Sequence, residues 1–519
     1  MSYPRIAKNP ILRMLQRVFA QSANASGAEH PARRSENGVS RRTFIKGAAL
    51  SAAAAAFPLP VAAAASSKKV VIIGAGLAGL NAAYTLQKAG VATEIYEGSP
   101  RSGGRIFSVT DAMGPGLVAE YGGEFIDAKH ADLLGLASEF GLKVLDRRAL
   151  ADPKLVRQAF FFDGKFYSEK EIVDAFSPAI ERIAKDSAVL QHNPTYDHHS
   201  TNATTFDKMP LSQYLSSLGF EDWLYKLLRA AYVTEFGLEI EEQSTLNFLS
   251  MFPRVNTDST LELYGDGAER YKISGGNEQV TKALSKKLDG HIHLSHKLIS
   301  IRSDGRGFAM TFKIGDDKFV DVKADMLVLA IPFSVLRHID TKVELPKWKK
   351  NAIMELGYGT NAKVMLGFSK RLWNEKGYSG EVFSNENYQL IWDNTEFQQG
   401  DSGGLTIFLG GHAGVQSESG MADEQANYFA PALEKTFPGI TAVRNFYDKR
   451  MHWPSYPFSL GSYSVYKKGQ WTTIRGAEFK PVGNLFFAGE HCSLEFQGYM
   501  NGAAETGRRA AVEILKAMV

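Results

Sequence analysis

The sequence predicts an α/β protein built on a parallel β-sheet, and three observations carry this prediction. An apolar, β-branched run at residues 70–73 has the composition of a buried parallel strand. A glycine-rich turn follows it, and a helical pattern then continues to about residue 90. A second strand-like run, residues 91–96, is followed directly by an acidic residue at 97. Strand, turn, helix and strand in this order form a βαβ unit.

Length and charge limit the class of protein. The 519 residues, 44% of them hydrophobic, are enough for a large buried core and about three average domains. Lys and Arg total 59 against 56 Asp and Glu, so the formal net charge of +3 gives no electrostatic reason to expect nucleic acid as a partner. Cys492 is the single cysteine, and no intramolecular disulfide can form.

The N-terminal 65 residues differ in composition from the rest. Residues 1–39 are polar and basic with no clear apolar period, residues 40–46 read SRRTFIK, and an alanine-dominated run extends to residue 65. This order resembles a bacterial twin-arginine export signal, and predicts a periplasmic or secreted protein carried in the folded state by the twin-arginine translocase. A membrane anchor and an alanine-rich helix retained in the mature protein remain alternatives, although Pro58 and Pro60 interrupt the run.

The glycines of the turn each have a physical role in binding a dinucleotide. Gly74 allows the tight turn, Gly76 lets the backbone approach a pyrophosphate, and Gly79 lets the helix pack against the strand. Glu97 at the end of the second strand can accept hydrogen bonds from a ribose. These four residues predict a dinucleotide but do not distinguish NAD from FAD.

A second glycine element lies just beyond Glu97. Gly103, Gly104 and Arg105 would bring further backbone and a cation close to phosphate, whereas an ordinary NAD domain has no such requirement here.

Five elements in the same order resemble the flavin-containing amine oxidase family. They are residues 74–79, 103–105, 120–125 (EYGGEF), 273–277 (ISGGN) and the C-terminal pair 487–490 (FAGE) and 498–502 (GYMNG). The resemblance implies a Rossmann-like FAD-binding domain with a mixed α+β substrate-binding domain. It assigns residues 68–130, 268–335 and 476–519 to the first, and 131–267 and 336–475 to the second, after a signal region at 1–65.

The same resemblance implies the residues that contact FAD. They are Gly74, Gly76, Gly79, Glu97, Gly103, Gly104, Arg105, Gly122, Gly123, Leu298, Gly489, Glu490, Gly498, Tyr499 and Met500.

The catalytic residues that the family implies are Tyr463, Tyr499 and Lys363. The two tyrosines match the walls of an aromatic cage, which orients the amine and excludes water. Lys363 matches the lysine that holds a water near the flavin N5 and assists reoxidation by dioxygen. Ser462 stands where some monoamine oxidases have the cysteine that binds flavin covalently, so the FAD is predicted to be noncovalent.

The sequence does not determine which amine is the substrate. L-amino acid oxidases usually carry an arginine shortly after the position of Gly123, where this chain has Glu124 and Asp127. That difference argues against amino acids, although an arginine could come from elsewhere in the chain. Asp127 falls where polyamine oxidases place an acid, and we treat it with Glu124 as a tentative substrate residue.

The resulting prediction is an enzyme that oxidises an amine to an imine, with dioxygen as the default electron acceptor and hydrogen peroxide as product. A periplasmic electron carrier would make it a dehydrogenase. A desaturase or isomerase of lipid-like molecules and a noncatalytic FAD-binding module are the rival classes, and a homodimer is left open. Histidines at 192–199 and 291–296 lack the spacing of metal ligands, so no metal is predicted.

Overall fold

The computed structural model describes residues 11–12, 14–16, 18–19, 68–190, 193–252 and 269–519. The predicted export motif at 40–46, the alanine-rich run that follows it and residue 192 lie outside these residues.

A central sheet of five parallel strands contains the predicted βαβ unit. Val70 pairs with Thr93 on one side and with Met326 on the other. The strands lie in the order Leu485–Phe487, Met326–Leu329, Val70–Ile73, Thr93–Tyr96, Ile292–His293. The four residues of Val70–Ile73 are all buried, as expected for a parallel strand covered on both faces. The predicted α/β class is confirmed.

Helices cover this sheet and join the first βαβ unit to the C-terminus. Helix Leu77–Lys88 packs against the C-terminal helix Met500–Met518, where a Cβ on Gly507 would lie 2.2 Å from the Ala78 carbonyl oxygen. Two further helices belong to this region, Glu278–Lys287 and Phe333–Leu336.

Helix Ala131–Glu139 lies with the FAD-binding region, not with the substrate domain to which the sequence boundary at residue 131 assigns it. Its apolar residues Leu133, Leu136 and Ala137 share a core cluster with the two helices that cover the central sheet. Strand Val144–Asp146 then pairs antiparallel with Tyr271–Ile273. Apolar spacing locates the helix, but it does not show which core the helix joins.

A four-stranded sheet leads into the cavity described below. Its order is Lys318–Ala324, Gly307–Ile314, Lys297–Asp304, Asp340–Lys342. The register shifts between Leu298 and Ser300, which marks a β-bulge next to a predicted cofactor residue.

A seven-stranded sheet forms the second layer of the molecule. Its order is Lys449–His452, Ala362–Phe368, Gly403–Leu409, Leu390–Asp393, Val382–Ser384, Ala159–Phe162, Lys165–Tyr167. Helices Lys347–Glu355, Leu372–Glu375, Gly411–Gln416 and Ala422–Thr436 accompany the strands of this part of the chain. Three two-stranded pairs complete the sheets: Gly357–Tyr358 with Ser464–Val465, Ser108–Val109 with Ala119–Glu120, and the 144–146 pair given above.

A helical subregion completes the substrate side. Its helices are Arg147–Leu150, Glu169–Phe176, Ile180–Ala188, Thr201–Lys208, Leu211–Ser217, Asp222–Phe236 and Leu246–Leu249. The described residues between 11 and 19 are also helical and are buried in the core of this subregion, although the sequence shows no clear apolar period there. No helix within the described ranges is long and apolar enough to cross a membrane.

Candidate active site

The turn after Val70–Ile73 forms one end of a deep cavity. Gly74 has a φ of +102°, and a Cβ there would lie 2.7 Å from the Ala330 carbonyl oxygen. A Cβ on Gly79 would lie 1.9 Å from the Gly74 carbonyl oxygen, so the helix approaches this closely only with glycine. A Cβ on Gly76 would have no described heavy atom within 4 Å, apart from those of its chain neighbours. The open space beside Gly76 is what a pyrophosphate requires.

Glu97 closes the turn from the neighbouring strand. Its carboxylate accepts hydrogen bonds from the N–H groups of Ala75, at 2.7 Å, and Ser99, at 2.8 Å. Burial raises the pKa of Glu97, while these hydrogen bonds and Arg101 act in the opposite direction. The residue lines the cavity where the predicted ribose would lie.

The second glycine element is tied to the first. Gly103 donates its N–H to the Ala75 carbonyl at 2.8 Å, and Gly103 and Gly104 have φ values of +104° and +57°. Arg105 follows, and its Nη1 donates to the Ser462 carbonyl and to Glu490 Oε1, each at 2.8 Å. The element therefore joins the first βαβ unit to two distant parts of the chain.

Glu490 is a buried anion held by several donors. Besides Arg105, its carboxylate accepts from the N–H and hydroxyl of Ser464, at 3.1 and 2.8 Å, and from the Gly498 N–H at 2.8 Å. Burial acts to raise the pKa of Glu490, but Arg105 and the hydrogen bonds outweigh it and hold the pKa at about 2. The C-terminal motif is thus fixed to the first glycine region by charge.

A cavity of about 530 Å³ brings the predicted residues together. All of the predicted cofactor residues except Gly79, which packs the helix on the strand, line it. Glu124, Lys363, Tyr463 and Tyr499 line it as well. The sequence motifs, more than 400 residues apart at their extremes, therefore meet in one site.

The two predicted cage tyrosines are positioned by different elements. The Tyr463 hydroxyl lies 3.0 Å from the Thr234 carbonyl oxygen and 2.9 Å from that of Glu235, at the end of helix Asp222–Phe236. Tyr499 precedes the C-terminal helix, and its ring centroid lies 5.0 Å from that of His130. The helical subregion therefore orients one tyrosine, and the FAD-binding region orients the other.

Neither Ser462 nor Cys492 presents a group suited to covalent flavin attachment. The Ser462 hydroxyl donates to Asn361 Oδ1 at 2.7 Å. Burial raises the pKa of the Cys492 thiol to about 12, and the thiol does not line the described cavity.

Lys363 is buried, and all three donors of its ammonium group have protein acceptors. Nζ lies 2.9 Å from the Glu120 carbonyl oxygen and 3.0 Å from that of Gly122. It also lies 3.0 Å from Glu124 Oε2. Because a lysine ammonium has three donors, holding a water as predicted requires sharing or exchanging one of these bonds.

Glu124 is shared between two lysines, and the second was not identified from the sequence. Its Oε1 lies 3.0 Å from Lys272 Nζ and its Oε2 faces Lys363. Burial acts to raise the pKa of Glu124, but the two lysines outweigh it and lower the pKa. Lys272 lies 3.9 Å from Glu396, which in turn pairs with Arg147. A chain of alternating charges thus extends behind the cavity wall.

Asp127, the other tentative substrate residue, does not line the described cavity. Its Oδ1 accepts the N–H of Glu269, and its own N–H donates to His130 Nδ1 at 3.0 Å. The carboxylate therefore supports the chain behind the cavity, and its geometry does not favour contact with a distal ammonium group.

The substrate end of the cavity has an aromatic wall. The Phe125 and Trp392 ring centroids lie 5.7 Å apart, and those of Trp392 and Phe408 lie 5.3 Å apart. Lys363 Nζ lies 5.2 Å from the Trp392 ring centroid. Carboxylates line this end too, and they are Glu124, Glu235, Glu269 and Glu381. No periodic pattern marks these residues in the sequence, because they come from several separate elements.

The geometry defines a class of protein. The open backbone at Gly76, the buried acid at Glu97 and the second glycine pair fit FAD, which would be held along the lining residues given above. A buried aromatic chamber with a fixed lysine adjoins this cradle, so the class is that of FAD-dependent oxidoreductases.

The chain belongs to the flavin-containing amine oxidoreductase family, whose model matches residues 77–515. FAD as the cofactor and an oxidoreductase acting on amines follow from that membership.

Relatives extend along nearly the whole chain. Polyamine oxidase 5 of Oryza sativa subsp. japonica is 28% identical over 463 residues, which cover 86% of this chain and 87% of that protein. A pseudooxynicotine dehydrogenase of a Pseudomonas species is 24% identical over 501 residues, which cover 92% of this chain and 96% of that protein. The structure of cyclohexylamine oxidase from Brevibacterium oxydans IH-35A superposes with a TM-score of 0.74 at 23% identity, covering 87% of this chain and 99% of that one. This likeness confirms the two-domain fold.

No cluster of three or more His, Cys, Asp or Glu suited to a metal ion occurs among the described residues.

Proposed function

We propose that this protein oxidises a mono-, di- or polyamine to an imine, which hydrolyses to an aldehyde or ketone plus ammonia or an amine. The observation that carries the proposal is that Tyr463, Tyr499 and Lys363 line the same cavity as the FAD residues. A desaturase or a noncatalytic FAD-binding module would not require this combination.

The charges of the cavity support an amine over an amino acid. Four carboxylates line its substrate end, whereas Arg105 is the one arginine among the described lining residues. Arg105 is already bonded to Glu490 and to the Ser462 carbonyl. A substrate carboxylate would therefore find no uncommitted arginine in this described lining. A substrate cation would meet the carboxylates of Glu235, Glu269 and Glu381 besides that of Glu124, whose charge Lys272 and Lys363 offset.

The residues of this chain orient the amine and exclude water. FAD, when bound, accepts the hydride from the carbon next to the nitrogen. Tyr463 and Tyr499 line the cavity and would hold the amine, and Phe125 and Trp392, which line it too, would exclude bulk water. Lys363 places a fixed positive charge at the wall, which favours negative charge developing beside it.

We propose dioxygen as the electron acceptor, with release of hydrogen peroxide. A periplasmic carrier is the second candidate. It is favoured by the predicted export motif and by the fact that two relatives are named dehydrogenases. Comparing turnover with dioxygen against turnover with an artificial electron acceptor distinguishes the two, because a dehydrogenase produces little peroxide.

An anaerobic substrate panel tests the activity. Monoamines, diamines, polyamines and L-amino acids are each mixed with the holoenzyme, and the loss of the visible flavin absorbance is followed. The proposal expects at least one amine to bleach the flavin faster than any amino acid does. Bleaching by amino acids alone would establish the L-amino acid oxidase alternative, and no bleaching by any member would contradict the proposal.

We further propose that the FAD is noncovalent, as the Ser462 hydroxyl bond to Asn361 supports. Acid precipitation should release all of the flavin into the supernatant. Flavin that remains with the denatured protein would show a covalent link.

We also propose that the chain is exported by the twin-arginine translocase to the periplasm or beyond. Replacing Arg41 and Arg42 by Lys should retain the protein in the cytoplasm, as measured by cell fractionation.

Light scattering on the purified holoenzyme decides between a monomer and a homodimer.

A further inference from the structure

Residues near the N-terminus form part of the core of the substrate side. Ile11, Leu12, Leu15 and Phe19 are each at most 1% exposed, and Met14 is 4% exposed. They belong to the same hydrophobic cluster as helices Glu169–Phe176 and Asp222–Phe236. A peripheral leader would leave such side chains in water, so their burial shows a built groove with an occupant.

The contacts of this segment are specific. The Phe19 ring centroid lies 5.0 Å from that of Phe252. The Gln16 side-chain amide donates to the Met251 carbonyl. The Tyr232 hydroxyl lies 3.6 Å from the Met251 sulfur. Met251 is therefore contacted both by helix Asp222–Phe236 and by the N-terminal segment. A polar bond within an apolar groove fixes how the segment lies in it.

A continuous set of contacts connects the groove to the active site. Phe252 packs on Phe248 with ring centroids 4.8 Å apart, and Phe248 packs on Tyr232 at 5.4 Å. Tyr232 lies in helix Asp222–Phe236, whose Thr234 and Glu235 carbonyls meet the Tyr463 hydroxyl. The N-terminal segment therefore supports the element that orients a catalytic tyrosine.

The sequence places this segment before the export motif at residues 40–46, while the FAD-binding domain starts after residue 67. Removal of a signal by cleavage near residue 65 would break the covalent link between the segment and the groove. We propose that the segment that contains residues 11–12, 14–16 and 18–19 is a permanent structural element of the substrate domain. It stays bound in this groove even after the chain is cut between residues 20 and 67. The proposal does not depend on amine oxidation, and it uses the export motif only to say where a cut would fall.

A cut made on purpose tests this directly. A recognition site for a specific protease is placed between residues 20 and 67, and the purified holoenzyme is cleaved. Native size exclusion followed by denaturing mass spectrometry should find the N-terminal fragment in the same peak as the body, with the melting temperature nearly unchanged. A fragment that elutes separately, from a body whose melting temperature is also unchanged, would overturn the proposal.

Matched substitutions test the groove without cleavage. Met14→Ser should lower the melting temperature by about 5 °C, since a buried large-to-small change leaves a cavity. Met354→Ser is the control, because Met354 is 52% exposed on helix Lys347–Glu355. Equal shifts for the two variants would contradict the buried placement.

A peptide experiment separates loss of the segment from failure to fold. A chain that lacks residues 1–22 is expected to show a lower melting temperature and a higher KM. A synthetic peptide of residues 8–22 should restore most of the melting temperature, whereas the same peptide with Leu15→Asp should not. Restoration by both peptides, or by neither, would contradict a specific groove. If the shortened chain does not fold, the cleaved holoenzyme still decides the question.

Discussion

Glu124→Gln is the most informative single substitution in the site, because it removes one anion from between two buried lysines. The Glu124 carboxylate lies 3.0 Å from both Lys272 Nζ and Lys363 Nζ. Glutamine keeps the shape of the side chain and one acceptor oxygen. The variant therefore changes the charge with little change in packing.

The size of the effect follows from the burial of these groups. Removing one partner of a buried ion pair costs about 3–5 kcal/mol, because the remaining charge is left uncompensated. The cost has a ceiling, since a buried lysine can lose its proton. Deprotonating a lysine at pH 7 costs about 4–5 kcal/mol. The ordinary lysine pKa lies about 3.4 units above pH 7, and each unit is worth about 1.4 kcal/mol. At about 2 °C per kcal/mol, the melting temperature should fall by about 6–10 °C.

The dependence on pH distinguishes this explanation from a packing defect. The folded-state pKa of Glu124 is lowered, so its stabilisation is present above the ordinary carboxyl pKa and is lost as pH falls through the lower folded value. In the variant, burial still acts to lower the pKa of Lys272 while the Glu124 charge that opposed it is gone, so the folded state binds fewer protons than the unfolded state and stability rises with pH. The difference in melting temperature between wild type and variant should be largest near neutral pH and should become smaller in acid and in alkali.

The measurement is thermal unfolding of both holoenzymes in buffers from about pH 3 to about pH 11, a range that extends below the ordinary carboxyl pKa and above the ordinary lysine pKa. Asp174→Asn is the control, because its ion pair with Lys170 is exposed and its loss should not change the melting temperature measurably. A gap that is constant across the pH range, or a melting temperature equal to that of wild type, would refute the reasoning.

Three further predictions concern Lys363, Tyr463 and Lys349. Lys363→Met should slow flavin reoxidation by about 100-fold and flavin reduction much less, and equal effects in the two stopped-flow half-reactions would remove Lys363 from the oxidative step. Tyr463→Phe should raise KM and cost about 1–2 kcal/mol of unfolding free energy, since two carbonyls at a helix end lose their donor; Tyr428→Phe, at a 60% exposed position, should do neither. Burial lowers the pKa of Lys349 to about 7, so this lysine binds fewer protons when folded and its contribution to stability rises between about pH 7 and pH 10. Lys349→Met should therefore remove part of the rise in melting temperature that wild type shows over that range. If the melting temperatures of the two proteins rise with pH by the same amount, the lowered pKa of Lys349 is contradicted.

The parts of the site that depend on backbone chemistry could be predicted from the sequence. The turn at Gly74 and the glycine pair at Gly103 and Gly104 follow from local motifs, because the approach of backbone to phosphate requires particular residue types at fixed spacing. The bond from Arg105 to Glu490 does not follow from them, since the motif predicts only a cation near phosphate. The strand Val70–Ile73 follows from an apolar β-branched run.

The parts that depend on long-range packing could not be predicted. Lys272 reaches Glu124 from a strand that pairs with Val144–Asp146, and no local pattern records that pairing. Helix Ala131–Glu139 has an apolar face that would suit either domain. The burial of the described residues between 11 and 19 depends on a groove formed by helices that come about 150 residues or more later in the chain.

The position of Glu490 has a consequence for when the enzyme can acquire its cofactor. Strand Leu485–Phe487 and the residues after it supply an edge of the central sheet and the anion that Arg105 requires. These are among the last residues to leave the ribosome, so a nascent chain has the first glycine turn long before it has the rest of the cradle. Cofactor loading must therefore follow the end of synthesis, and a chain that stops before residue 485 lacks the means to retain FAD.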